Sequence, residues 1–321
     1  MKKTIIYGII SIIFILLLAV ISYIIINKTA RENAIDTILN TKAWMDITFS
    51  AKYKDLRNTD TTKTFYKSEK NIKIPMLLYH DIVEEEPERD LFYMYTTQEQ
   101  FEKQISGLQE LGYRFISMEE LIQYNKNELA LPEYVALICF DDGYTGNYLR
   151  AYPIAKKYQV PINIYVIDEM MEQPGYLTWA QAKEMADSGL VSINTHGKRH
   201  IHYEEISTVE LVAEITYAHE QIEKHLGKKV RKVFTYPYGT NSKETREALK
   251  EAGFIQNLTD NKINYGKSID YSGLHRIYVL NNESAYKIAQ KIYDINPLQR
   301  VIRKTLKGTI QKMYPQLLKV E

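Results

Sequence analysis

Tyr134-Val135-Ala136-Leu137-Ile138-Cys139-Phe140-Asp141-Asp142-Gly143 decides the fold. Seven uncharged residues run into two adjacent carboxylates and a glycine. A continuous apolar run of this length is the mark of a strand buried on both faces, as in parallel sheets. Two carboxylates at the end of such a strand are costly unless each has a partner. Side chains alternate along a strand, so one of the pair can bind a metal while the other acts as a base. The blander reading is a turn, since Asp-Asp-Gly is a common loop sequence.

Outward from that stretch, strands and helices alternate. Upstream, Ile74-Pro75-Met76-Leu77-Leu78-Tyr79-His80 reads as an apolar strand ending in a histidine, and Thr97 to Leu111 has helical spacing closed by Gly112. Downstream come a helix near Tyr148–Tyr158, a buried strand at Ile162–Ile167, a helix over Thr178–Ser188 and a short strand at Val191–Asn194 that reaches Thr195-His196. Ser207-Thr208-Val209-Glu210 opens a helix with capping-box chemistry, and Gly227 stops it. Val233-Phe234 leads into Tyr236-Pro237-Tyr238-Gly239, and Asn241-Ser242-Lys243-Glu244 caps a helix that ends at Gly253. This alternation predicts a parallel α/β domain. In such sheets the polar residues at strand C-terminal ends collect on one face, where active sites sit. Here those ends carry His80, Asp141, Asp142, His196 and Tyr238.

Composition narrows the chemistry. The chain has 321 residues, 45% hydrophobic and 25% charged, which is ordinary globular composition. One cysteine excludes an internal disulfide framework and a Cys-rich zinc finger, so any metal is held mainly by His, Asp and Glu. The formal net charge of +1 hides a segregation: residues 1–73 carry +6, residues 296–321 carry +5 and the segment between carries −10. An acidic middle between basic ends argues against nucleic-acid binding.

Thr4 to Ile26 is a run of 23 uncharged, mostly aliphatic residues. About 20 such residues cross a bilayer core, whereas the apolar part of a signal peptide is shorter and ends in a small-residue cleavage site. No such site closes this run, which predicts an uncleaved anchor in residues 1–27, with the bulk of the protein outside the cell. Residues 28–73 read as a polar stalk, 74–295 as the α/β domain and 296–321 as a basic amphipathic helix.

His196-Gly197-Lys198-Arg199-His200 sets two histidines four residues apart, which meet on one face if the segment is helical or turn-like. The spacing suits a first-row metal; the blander reading is two surface histidines in a polar loop. With Asp142 they make two nitrogens and one oxygen, a three-ligand set that leaves a position open for water. A structural zinc needs four ligands, and no fourth stands out. His202, His219 and His225 read as structural or exposed.

Cys139-Phe140-Asp141-Asp142-Gly143 resembles the Thr-Phe-Asp-Asp-Gly signature of the polysaccharide deacetylases, the NodB-homology domain of carbohydrate esterase family 4. His196 to His200 resembles their second motif and Tyr236-Pro237-Tyr238-Gly239 their third. Leu177-Thr178-Trp179 and Met185-Ala186-Asp187-Ser188-Gly189 are also similar to this family, and Leu77-Leu78-Tyr79-His80 looks like its poly-N-acetylglucosamine (biofilm exopolysaccharide) branch. The resemblance covers roughly residues 74–295. It implies a distorted, incomplete (β/α)7-type barrel behind the N-terminal transmembrane helix. It implies a divalent metal on Asp142, His196 and His200, zinc first, with cobalt, nickel or manganese as alternatives. Asp141 would be the general base and the Tyr238 backbone N–H an oxyanion donor. The general acid would be His80 or His275; His80 is favoured because it ends a buried strand on the active face. Arg276 would orient Asp141.

The implied reaction is hydrolysis of the acetamide of N-acetylglucosamine units in an extracellular polysaccharide, by an enzyme anchored in the cell membrane. A peptidoglycan deacetylase, an O-acetyl esterase and a catalytically silent glycan-binding protein are the rival readings. Two positions depart from the family pattern: Gly197 stands where Ser or Thr is usual, and Thr235 where many relatives carry Arg.

Overall fold

The computed structural model describes residues 72–87, 94–266 and 269–292. All of them lie in the second of the two units into which the chain divides, Phe65–Glu321. The anchor, most of the stalk and the basic C-terminal segment expected from the sequence lie outside the described residues. Among the described residues, no helix is long and apolar enough to cross a membrane.

The decisive stretch forms β6, Val135–Phe140, with all six residues buried. β2 (Met76–Tyr79) runs parallel to it on one side, in register Met76 with Leu137 through Tyr79 with Phe140. β5 (Arg114–Phe115) pairs with its first two residues, also in parallel. On the other side lie β7 (Ile162–Val166), β8 (Val191–Thr195), β9 (Val233–Thr235) and β10 (Ile255–Asn257), each parallel to the last. β12 (Ile277–Tyr278) adds in parallel to the free edge of β2. The sheet curls far enough that Leu274, just before β12, bridges in parallel to Asn257 of β10. This is the parallel α/β arrangement expected from the alternation.

Helices cover the outside. α1 (Gln98–Glu110) buries Phe101, Ile105 and Leu108, the spacing read from the sequence, and Thr97 caps its N-terminus. Then come α2 (Met118–Asn125), α3 (Tyr152–Tyr158, entered through a π-turn at Asn147–Ala151) and α4 (Trp179–Asp187). α5 (Thr208–Leu226), α6 (Lys243–Glu251) and α7 (Ala285–Ile292) complete the set. Ser117, Thr178 and Ser242 form reciprocal capping boxes, each cap contributing about 1 kcal/mol. On α5 only half of the expected box is made: Ser207 accepts the Glu210 N–H, and Gly227 ends the helix in a left-handed conformation.

Two small pairings fall outside the alternating pattern. β1 (Lys73–Ile74) pairs antiparallel with β11 (Asn264–Tyr265), and β3 (Asp81–Val83) pairs in parallel with β4 (Tyr95–Thr97). The consequence for function is positional. His80 follows β2, Asp141 and Asp142 follow β6, His196 follows β8, and Tyr236 to Gly239 follow β9. All leave their strands at the same end of the sheet.

Candidate active site

The turn after β6 sends the two aspartates in different directions. Asp142 and Gly143 both have positive φ, at 71° and 76°. Gly143 packs so close that a Cβ there would lie 2.9 Å from Val166 Cγ1. Asp142 is not a glycine, and its left-handed backbone costs on the order of 1 kcal/mol. That reversal turns Asp142 away from its neighbour.

Asp141 faces Arg276, which immediately precedes β12. Arg276 Nη1 donates to Asp141 Oδ1 at 2.6 Å and Nη2 to Oδ2 at 2.8 Å, a two-pronged pair with both side chains buried. The remaining guanidinium donors reach the Leu258 carbonyl and Thr259 Oγ1. Burial alone would raise the Asp141 pKa; the Arg276 guanidinium more than offsets it, with His196 and His80 in the same sense, and holds the carboxyl below its ordinary range.

Asp142 faces the histidines. Its Oδ1 lies 3.3 Å from His196 Nε2 and 3.5 Å from His200 Nε2, and it is buried without a well-formed hydrogen bond. His196 is buried, and its Nδ1 lies 2.8 Å from the Thr235 carbonyl. A carbonyl only accepts, so Nδ1 carries a proton, and Nε2 is the nitrogen left to face Asp142. The segment from His196 to His200 is an irregular loop, not a helix. Asp142, His196 and His200 form a group whose ligand atoms all lie within 4.8 Å of one another, and among the described residues it is the one cluster of this kind. Potential ligand atoms that converge in this way suit a cation. The donor set, one carboxylate and two imidazoles, suits a first-row divalent metal.

His80 is half-buried and near these charges. Burial lowers its pKa, while Asp141 and Asp142 pull the other way. Its Nδ1 is buried without a partner, and its ring lies nearly parallel to Tyr278 at 6.4 Å. His275 is engaged elsewhere: its Nδ1 is 2.8 Å from Asp260 Oδ2, and its backbone N–H and carbonyl both bond the Asn264 side chain. Tyr238 has φ 58°, ψ 0° and is 58% exposed, with its ring stacked on His202 at 4.3 Å and edge-on to His200 at 4.4 Å. His219 is buried on α5, and His225 stacks on Trp179.

Sequence reasoning passed over Tyr144 and Tyr176. The two residues form an isolated antiparallel bridge, and their rings stack at 5.1 Å. Burial, and then the Asp142 charge, raises the Tyr144 pKa, which puts that phenol beside the carboxylate. Tyr144 follows Gly143 directly, and that adjacency was the available signal.

A family model described as polysaccharide deacetylase matches residues 129–256, a span that holds Asp141, Asp142, His196, His200 and Tyr238. Residues 129–256 carry a polysaccharide deacetylase domain. The chain is 28% identical over 223 residues to YxkH of Bacillus subtilis (strain 168), whose name assigns it provisionally to the polysaccharide deacetylases; the match covers 70% of this chain and 77% of that one. It is 26% identical over 220 residues to the poly-beta-1,6-N-acetyl-D-glucosamine N-deacetylase of Staphylococcus aureus (strain MRSA252), covering 65% and 71%. The match to the Escherichia coli (strain K12) protein of that name, 24% identical, spans 68% of this chain but only 38% of the other. Among solved structures, the chain resembles the Streptococcus pyogenes deacetylase PplD in complex with acetate, with a TM-score of 0.64 and 26% identity over 70% of this chain and 99% of that one. IcaB from Ammonifex degensii gives a TM-score of 0.60 and 25% identity over 70% and 98%.

Proposed function

We propose that this polysaccharide deacetylase hydrolyses the acetamide of N-acetylglucosamine units in an extracellular polymer of the poly-N-acetylglucosamine class, using a divalent metal. The observation that carries the reading is the convergence of Asp142, His196 and His200 beside the buried Asp141–Arg276 pair. The polymer class is supported by relatives of that name at 24% and 26% identity.

Asp142 Oδ and the Nε2 atoms of His196 and His200 would hold the metal. When bound, zinc, or cobalt, nickel or manganese in its place, supplies Lewis-acid polarisation of the acetamide carbonyl and lowers the pKa of water towards about 7. Asp141, kept ionised and fixed by Arg276, takes the proton of the attacking water. The Tyr238 backbone N–H, held in its turn by the positive φ, donates to the oxyanion that forms on the carbonyl oxygen. The carbon–nitrogen bond then breaks and the nitrogen needs a proton. His80, set among the charges of the site, gives it; His275 is tied to Asp260. Acetate and a glucosamine amine leave.

The run Thr4–Ile26 supports a membrane anchor with the deacetylase domain outside the cell, where such a polymer is met. The test is acetate release by the full chain from poly-β-1,6-N-acetylglucosamine oligomers and from peptidoglycan glycan strands, each before and after metal stripping. Release from the oligomers that stripping removes supports the proposal. Release from peptidoglycan alone moves the substrate, and no release from either leaves a glycan-binding protein.

A further inference from the structure

The loop between the two histidines is the part of the site with no regular structure, yet His200 must be placed against Asp142. Two sets of contacts hold it. On one side the backbone N–H groups of Asp168 and Glu169 donate to the carbonyls of Gly197 and Lys198, at 3.0 and 3.1 Å. On the other side stands Tyr203, 1% exposed, three residues beyond His200. Its hydroxyl donates to the Arg199 carbonyl at 3.0 Å and accepts the Arg199 N–H at 3.3 Å. The same hydroxyl lies 3.3 Å from Glu214 Oε2 on α5. The Arg199 guanidinium also bonds Glu214, through Nε at 3.1 Å and through Nη2, and reaches Glu210 at 3.2 Å.

Gly197 explains itself against this background. It has φ 99°, and a Cβ there would lie 2.5 Å from the Tyr203 hydroxyl and 2.8 Å from its ring. The space that a side chain at position 197 would need is filled by Tyr203. The Gly197 N–H is satisfied instead by Thr195 Oγ1 at 2.9 Å. What a Ser or Thr at 197 would have offered from inside the loop is thus offered here from outside it.

We infer that Tyr203, with Glu214 acting through Arg199, is a positioning device that sets His200 against Asp142 and so tunes the affinity of the site for its metal. This rests on the metal reading of Asp142, His196 and His200. Outer-shell partners of ligating side chains typically carry 10- to 100-fold in metal affinity.

The test removes one hydroxyl. Tyr203→Phe keeps the ring against Gly197 and loses both bonds to Arg199; Glu214→Gln, on α5, is the second variant and keeps the size of the side chain while removing its charge. Zinc affinity is measured by chelator competition on stripped full-length protein, and the cobalt-loaded absorption spectrum is recorded. Metal-free melting confirms that each variant is folded. The inference predicts zinc affinity weakened about 10- to 100-fold in Tyr203→Phe, less in Glu214→Gln, with an altered cobalt spectrum. Folded variants that bind zinc like wild type, with unchanged spectra, overturn the positioning role and leave the metal reading intact. A wild-type protein that binds no zinc and no cobalt overturns both.

Discussion

Arg276 and Asp141 are 135 residues apart in the chain and meet in a buried, two-pronged ion pair, at 2.6 and 2.8 Å. Neither group has water to fall back on, so each depends on the other. Removing one member of a buried pair costs more than the pair contributes, because a lone charge is left behind.

Arg276→Met is therefore expected to destabilise the fold by about 3–5 kcal/mol, lowering Tm by roughly 10 °C. Asp141→Asn combined with Arg276→Met should recover part of that loss without recovering acetate release. Melting curves of the single and double variants check this. A single Arg276→Met variant that melts with wild type would remove the ion pair from the account.

Asp81 gives the pH dependence. It begins β3, and burial raises its pKa to about 6, opposed by the backbone N–H of Ile82 and by Arg150. Its Oδ1 is buried without a partner. A carboxyl whose folded pKa lies above its unfolded value stabilises the fold fully below the unfolded pKa, near 3.9. That stabilisation is lost as pH rises through about 6. Asp81→Asn mimics the protonated form, so its stability relative to wild type should improve by about 2–3 kcal/mol between pH 4 and pH 8. Denaturant unfolding at the two pH values measures it, and a pH-independent difference would contradict the assignment.

Gly197→Ala sets a Cβ into the Tyr203 ring at a backbone angle that side chains rarely adopt. Gly175→Ala shares the positive φ, at 89°, but meets nothing within 4 Å. Both should lose about 1–3 kcal/mol to backbone strain, and Gly197→Ala measurably more through the collision. Equal losses would mean that Tyr203 yields.

Cys139 lies fully buried in β6, and burial pushes its thiol up to about 12. It should resist thiol reagents at pH 8 in the native protein and react only on unfolding. Rapid native labelling, followed by mass, would show that β6 opens.

Much of this architecture was legible because burial writes itself into sequence. The all-apolar β6, the spacing of Phe101, Ile105 and Leu108, and the capping residues Thr178 and Ser242 are local signals. β1, β5, β11 and β12 are two residues long and carry no period, and β1 with β11 form an antiparallel pair that an alternating pattern does not announce. In the site, the aspartates and histidines were visible as types and spacings. The partner of Asp141 was not visible from spacing, because the Arg276 contact is made only by tertiary folding; the family resemblance supplied it. Tyr203 was missed for the same reason. Gly197 read as a lost side chain, whereas in the fold its place is taken by a ring from the following turn.

The most direct measurement follows zinc content and acetate release in the same samples. Metal-stripped full-length wild type and His200→Ala are titrated with zinc, with poly-β-1,6-N-acetylglucosamine oligomers as substrate. The account predicts that acetate release by wild type rises in step with one bound zinc per chain, and that His200→Ala loses both affinity and activity. Undiminished acetate release from stripped protein, or release that ignores zinc occupancy, would contradict it.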